Sequence, residues 1–147
     1  FTTGWGVQIS TVAQLGAGFS LFGHYTYGKG IGHYINDFDG EGLDLIPDFG
    51  EPGKLKAPGM AGFTAGLQYT FTKDLFVSGS YSRAQLYNSK GMDADTERYS
   101  QYIAANIFYN VWGDLRFGME YVHGTRKNLS GVSGKANRIE AMLQYSF

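Results

Sequence analysis

The sequence has 147 residues, a formal net charge of −1 and no cysteine. This length suits one domain, the near-zero charge argues against nucleic acid as a partner, and the lack of cysteine excludes disulfides and thiolate metal sites. Only 17% of the residues are charged, whereas 16% are aromatic. No apolar run reaches the roughly 18 residues of a membrane-spanning helix, but spanning strands leave a much weaker signal than helices.

Alternation of apolar and polar residues predicts seven β-strands, at residues 4–13, 17–30, 60–72, 75–88, 99–112, 115–128 and 136–147. Their predicted connections alternate between short turns, at 14–16, 72–74 and 113–114, and long polar segments, at 33–59, 89–98 and 129–135. Most of these segments are longer than ordinary globular strands, and alternating short and long connections are typical of outer-membrane β-barrels. The predicted fold class is therefore an all-β, antiparallel, up-and-down transmembrane β-barrel.

One face of each predicted strand is apolar, with small or aliphatic residues in the middle and aromatic residues toward one end. A soluble β-sandwich would instead concentrate its bulky residues in the middle of the strands. The pattern predicts two belts of interfacial aromatic residues around an aliphatic band, and hence a bacterial outer membrane as the location. The predicted girdle consists of Tyr25, Tyr27, Tyr69, Phe71, Tyr81, Tyr109, Tyr121, Tyr145 and Phe147.

The opposite face carries charged and polar side chains, which are costly in a dry core and natural in a water-filled lumen. The candidate pore-lining and selectivity residues are His24, Asn106, Asn110, Arg116, Glu120, Arg126, Arg138 and Glu140. In one interpretation the arginines guide carboxylate groups of solutes while the glutamates hold the arginines in place. In the other, these residues form wall salt bridges that only satisfy one another.

The chain closes on an alternating strand with a terminal aromatic, Phe147, which resembles the terminal signal of outer-membrane barrels and predicts a periplasmic C-terminus and contact with the barrel-assembly machinery. Counting back through seven strands places Phe1 on the opposite side. Single-chain bacterial barrels have an even strand number, and an open sheet edge in lipid leaves backbone groups unpaired. The expectation is the C-terminal part of a longer porin; the alternative is an eight-stranded barrel lacking one N-terminal strand.

The connection at 33–59 is predicted to be a long extracellular or pore-inserted loop. Within it Asp37, Asp39 and Glu41, with Asp48 further on, approach the spacing of a calcium loop. The alternative is a solvated acidic loop, or one folded into the pore. The three histidines share no metal-ligand spacing, and no serine has a nucleophile motif. We therefore expect no enzyme, no cofactor and no established metal site.

Four stretches in a fixed order carry a family resemblance: residues 28–34, 106–112, 120–126 and 136–139. Together they resemble the C-terminal region of the DcaP-like trimeric outer-membrane porins, from Gly28 onward. The resemblance implies a barrel of about sixteen strands, a homotrimer, and passive uptake of small hydrophilic, often anionic, solutes such as dicarboxylates. His33 stands where an arginine is common, and the acidic loop after it weakens an anion preference.

Three functions follow as hypotheses. The first is a porin that filters small hydrophilic solutes by size and charge. The alternative is a small non-channel barrel with a structural or adhesive role through its extracellular loops. An enzyme within a barrel is the third, and it needs a catalytic set outside these residues.

Overall fold

The computed structural model describes residues 2–48, 50–87 and 91–147. No helix within these residues is long and apolar enough to cross a membrane. The strands in the described ranges are β1 (Trp5–Gly16), β2 (Phe19–Lys29), β3 (Ile46–Pro47), β4 (Leu55–Lys56), β5 (Gly59–Thr70), β6 (Leu75–Tyr87), β7 (Glu97–Trp112), β8 (Leu115–Asn128) and β9 (Ser133–Tyr145). Two short 3-10 turns, Gly32–Tyr34 and Asn36–Phe38, lie between β2 and β3.

The seven long strands form one antiparallel sheet in the order β1-β2-β5-β6-β7-β8-β9. Each long strand pairs with the next long strand along the chain, and the β3–β4 ribbon belongs to the connection between β2 and β5. The predicted all-β, up-and-down sheet of seven strands is confirmed. Within the described residues β1 and β9 pair on one side only, so the sheet is not closed.

Several strand boundaries differ from the sequence prediction, those at the first turn and at the final strand among them. The first turn was predicted at 14–16, but β1 continues to Gly16 and the chain reverses at Ala17 and Gly18. Gly16 and Gly18 have positive φ, of 84° and 83°, which glycine adopts without steric cost, and Ala17 between them has a φ of 48°. The final strand begins at Ser133 because residues 133–135 pair with β8, so the predicted 129–135 loop shortens to four residues, 129–132.

The two faces of the sheet differ in what covers them. On the apolar face large side chains have nothing packed over them: Ile103 is 54% exposed and Leu143 is 70% exposed. Contiguous apolar surface of this kind marks contact with a partner or a membrane. On the polar face the rings of Phe76 and Phe108 stack at 4.9 Å, and Phe22 lies so close to Gly66 that a Cβ there would clash with its ring.

The main buried cluster lies where the long connection meets the polar face. Ile31, Ile35, Phe38 and Leu43 of the connection pack against Met60 of β5 and against Ala84 and Leu86 of β6. Ile35 sits over Gly62 of β5. The connection is thus held against the polar face of the sheet by apolar contacts.

Candidate functional site

The predicted pore-lining residues of β7, β8 and β9 come together in register. Asn106 lies opposite Glu120, and Glu120 lies opposite Glu140. Asn110 lies opposite Arg116 at the short-turn end of the same face. The sequence pattern therefore placed these side chains on neighbouring positions of one surface.

Arg138 is tied to two glutamates. Its Nε lies 3.1 Å from Glu140 and its terminal nitrogen lies 3.8 Å from Glu120. Two carboxylates around one guanidinium leave a local charge of −1, so this group is not a simple anion-attracting site.

Arg116 has different surroundings. Its Nε donates a hydrogen bond of 2.9 Å to the side-chain oxygen of Asn110, and its guanidinium lies 5.7 Å from the centre of the Phe76 ring. It forms no salt bridge with any described residue. Because a neutral amide orients it without cancelling its charge, Arg116 offers an uncompensated cation on the polar face.

Arg126 binds Glu97, a residue that the sequence reasoning missed. Arg126 Nε lies 3.0 Å from Glu97 Oε2. The side chain of Glu97 is only 5% exposed, whereas that of Arg126 is 50% exposed. Glu97 was assigned to the loop at 89–98, yet it begins β7, and a bulge between Glu97 and Tyr99 shifts the alternation there. A bulge breaks the period-two alternation of a strand. The sequence pattern therefore gives no signal that this side chain lies on the polar face.

Arg126→Gln is expected to destabilise the protein by about 3 kcal/mol, because it leaves the buried Glu97 carboxylate without its ion-pair partner. Glu97 also carries a buried oxygen, Oε1, with no hydrogen-bond partner among the described residues. Glu97→Gln should cost only about 1 kcal/mol, since the amide is neutral and the half-exposed Arg126 regains water. Urea unfolding in lipid vesicles compares the two, and equal losses would contradict the assigned asymmetry.

The long connection is also hydrogen-bonded to the polar face of the sheet, because the Tyr102 hydroxyl of β7 donates to Asp37 at 3.0 Å. The other acidic residues of the calcium-like pattern take separate partners: Asp39 lies 3.8 Å from His33, and Asp48 lies 3.8 Å from Lys56. The structure does not bring Asp37, Asp39, Glu41 and Asp48 together. No group of three or more His, Asp or Glu side chains among the described residues is arranged to hold a metal ion.

An open cavity of about 500 Å³ lies between part of the connection, residues 34–37, and the polar face of the sheet. His24 lies on its wall side, hydrogen-bonded to Ser10 at 3.1 Å and to Thr26 at 2.9 Å. Asn36 and Asp37 line it from the connection, and Tyr102 and Arg138 from the opposite wall. The cavity therefore presents both signs of charge to a small polar molecule.

No family model matches the sequence, and no curated protein matches it. The chain superposes on the crystal structure of the outer membrane channel DcaP of Acinetobacter baumannii with a TM-score of 0.81 and 21% identity. This chain has the fold of part of a porin barrel. The superposition covers 98% of this chain and 41% of that chain, so the chain spans less than half the length of DcaP.

The likeness to DcaP confirms, at the level of fold, the resemblance that the sequence motifs indicated. On the apolar face of this DcaP-like sheet the predicted girdle residues form two rows. The ring of Tyr69 packs between those of Phe19 and Phe71, with ring centres 4.5 and 4.6 Å apart. Tyr109 and Tyr145 lie toward the same end of the sheet, paired with Leu75 and Leu115 respectively. Toward the other end lie Tyr25, Tyr27, Tyr81 and Tyr121. Phe147 follows β9 at the short-turn end.

Proposed function

We propose that this protein is an outer-membrane porin, whose barrel forms a water-filled channel for passive diffusion of small hydrophilic solutes. The observation that carries the proposal is the contrast between the two faces of one sheet. One face exposes large apolar side chains between two aromatic rows, and the other carries ion pairs and amides. A bilayer outside and water inside satisfy both faces at once. Diffusion through such a channel needs neither a cofactor nor catalytic turnover.

The connection at 33–59 narrows this channel. It packs on the polar face, through Phe38 and its apolar neighbours and through the Tyr102–Asp37 hydrogen bond. These contacts favour the pore-inserted form of the loop over a purely extracellular one. The candidate lining residues His24 and Arg138 then lie on the wall that solutes pass, and Asp37 faces them from the loop, while Glu140 is bound to Arg138.

Further strands complete the barrel in this proposal. The unpaired edges of β1 and β9 would leave backbone groups without hydrogen bonds in lipid. We place the short-turn end, with the C-terminus, on the periplasmic side, since short turns face the periplasm in such barrels. A barrel of about sixteen strands, a homotrimer and recognition of the last strand by the barrel-assembly machinery belong to the proposal on the strength of the family resemblance.

Single-channel recording of the purified protein in a planar bilayer tests the proposal. Stable, ohmic conductance steps are expected. Protein that inserts into the bilayer without conductance would instead support the non-channel barrel. In that case the loop docked on the polar face would act as a plug.

Arg116→Gln is expected to lower the anion-to-cation permeability ratio about two- to threefold, the effect of removing one charge at ~7 Å in water. Arg116 is suited to this role because no described carboxylate neutralises it. The reversal potential in a tenfold KCl gradient measures the ratio. Lys73→Gln is the matched control, since it removes the same charge from an exposed short turn outside the channel wall. A shift as large in Lys73→Gln would contradict the role of Arg116.

A further inference from the structure

Charges on the apolar face follow a rule that the channel function does not require. In the seven long strands the charged side chains that alternation places on this face are Lys29, Arg83, Lys127 and Lys135. All four are cations, and all lie toward the ends of the strands that lead into the longer connections. The opposite end of this face carries only uncharged residues. The protein therefore presents positive charge to its surroundings above one aromatic row and not below the other.

Three of these cations belong to one compact surface across β6, β7, β8 and β9. In one row Arg83 pairs with Gln101, Gln101 with Thr125, and Thr125 with Lys135. The adjoining row runs through Gln85, Tyr99, Lys127 and Ser133. Neighbouring strands lie about 4.8 Å apart, so the four strands span roughly 15 Å. We call these eight residues the basic patch.

The side chains of the basic patch are arranged to receive an anion. Arg83 is held over the Tyr99 ring at 4.1 Å and donates to Gln85 at 2.6 Å, with a longer contact of 3.4 Å to Gln101. None of the three cations forms a salt bridge within the described residues. Two arginines of the polar face behave differently, since Arg126 and Arg138 have glutamate partners, whereas Arg116 has none among the described residues. No described carboxylate neutralises the positive charge of the basic patch, so this charge is available to a ligand outside the chain.

We propose that the basic patch binds the phosphate groups of a phosphorylated lipid in the membrane leaflet on the side of the long connections. The patch is continuous with the apolar face: Tyr81, whose hydroxyl donates to Gln101 at 3.1 Å, lies next below Arg83, and the exposed Ile103 follows on β7. An occupant must therefore combine phosphates at the height of Arg83, Lys127 and Lys135 with acyl chains against the apolar band. Guanidinium and ammonium groups are suited to phosphate oxygens. This inference rests on the proposed membrane location.

The test compares lipid binding by the whole protein and its variants in neutral detergent, with bound lipid counted by native mass spectrometry. The probe is bisphosphorylated lipid A, set against its dephosphorylated form and against inorganic phosphate. The triple variant Arg83→Gln, Lys127→Gln, Lys135→Gln is expected to bind the bisphosphorylated lipid about a hundredfold more weakly, from about fivefold for each charge. Lys73→Gln, at the opposite end of the sheet, should bind as the wild type does.

Several outcomes would overturn the inference. Equal binding of phosphorylated and dephosphorylated lipid, or equal losses in the triple variant and in Lys73→Gln, would show that the patch does not read phosphate. Saturation by inorganic phosphate alone would show a free-anion site. A triple variant that loses oligomeric mass and keeps its lipid affinity would show that the patch holds a second copy of the chain. Conductance measured in the same variants separates the claims, because a protein that never inserts refutes the membrane location itself.

Discussion

Ala105→Arg is expected to destabilise the protein by about 2–4 kcal/mol, the cost of an arginine near the middle of a lipid-facing strand. Ala105 lies on the apolar face of β7, paired with Gly79 on one side and Tyr121 on the other. An arginine there must bring its charge into the aliphatic band between the two aromatic rows. The free energy of unfolding by urea in phospholipid vesicles measures the effect.

Asn106→Arg is the matched control, one residue away on the opposite face. Asn106 pairs with Glu120 on the polar face, so an arginine at this position meets water and a carboxylate. Its expected effect is below about 1 kcal/mol, as for an exposed ion pair. Two variants of equal charge and size should therefore differ only through the face they occupy. Similar losses in both would mean that Ala105 does not face lipid, and the porin proposal would fail with it.

Phe38→Ala is expected to release the long connection from the channel wall. Phe38 is 1% exposed and belongs to the buried cluster with Ile35, Met60 and Leu86. Truncating a buried phenylalanine costs about 3–5 kcal/mol. The remaining contacts with the polar face are the smaller apolar side chains Ile31, Ile35 and Leu43 and one hydrogen bond, from Tyr102 to Asp37, worth about 1 kcal/mol. The docked form should therefore lose much of its advantage, while the hydrogen-bonded sheet stays intact.

Two measurements report this release. Single-channel conductance should rise, since the connection no longer narrows the channel, and limited proteolysis should cut within residues 39–57 faster than in the wild type. Tyr34→Ala is the control, because Tyr34 lies close to Phe38 in sequence but is 75% exposed. Unchanged conductance together with unchanged proteolysis in Phe38→Ala would show that the connection does not obstruct the channel.

Much of the fold follows from period-two alternation alone. The side chains of a strand must alternate between faces, so the sequence was sufficient to put Asn106, Glu120 and Glu140 on one surface and Ile107, Met119 and Ala141 on the other. For the pairs β1–β2, β5–β6 and β7–β8 the short turns, such as the one between Trp112 and Leu115, then set the register.

The parts that sequence reasoning missed depend on contacts between distant residues. Glu97 turns toward the polar face because of a bulge, which breaks the alternation that made the other positions readable. Ile35, Phe38 and Leu43 dock onto β5 and β6 from a segment rich in glycine and acidic residues, whose described part holds only short strands and two 3-10 turns and so shows no sustained periodicity. Tyr102 reaches Asp37 across 65 positions of the chain, and no local pattern encodes such a pair.

The order of the strands also bears on how the protein is built. Each long strand pairs with the long strand before it in the chain, so the sheet can grow one strand at a time. Each new strand then pairs with the strand that was added last and forms the edge of the sheet. Closing these short hairpins costs little chain entropy. The exception is the junction of β2 with β5, which must bring Lys29 and Gly59 together across the whole docked segment. We expect that junction to be the slow step of assembly, and the burial of Phe38 to be what hastens it.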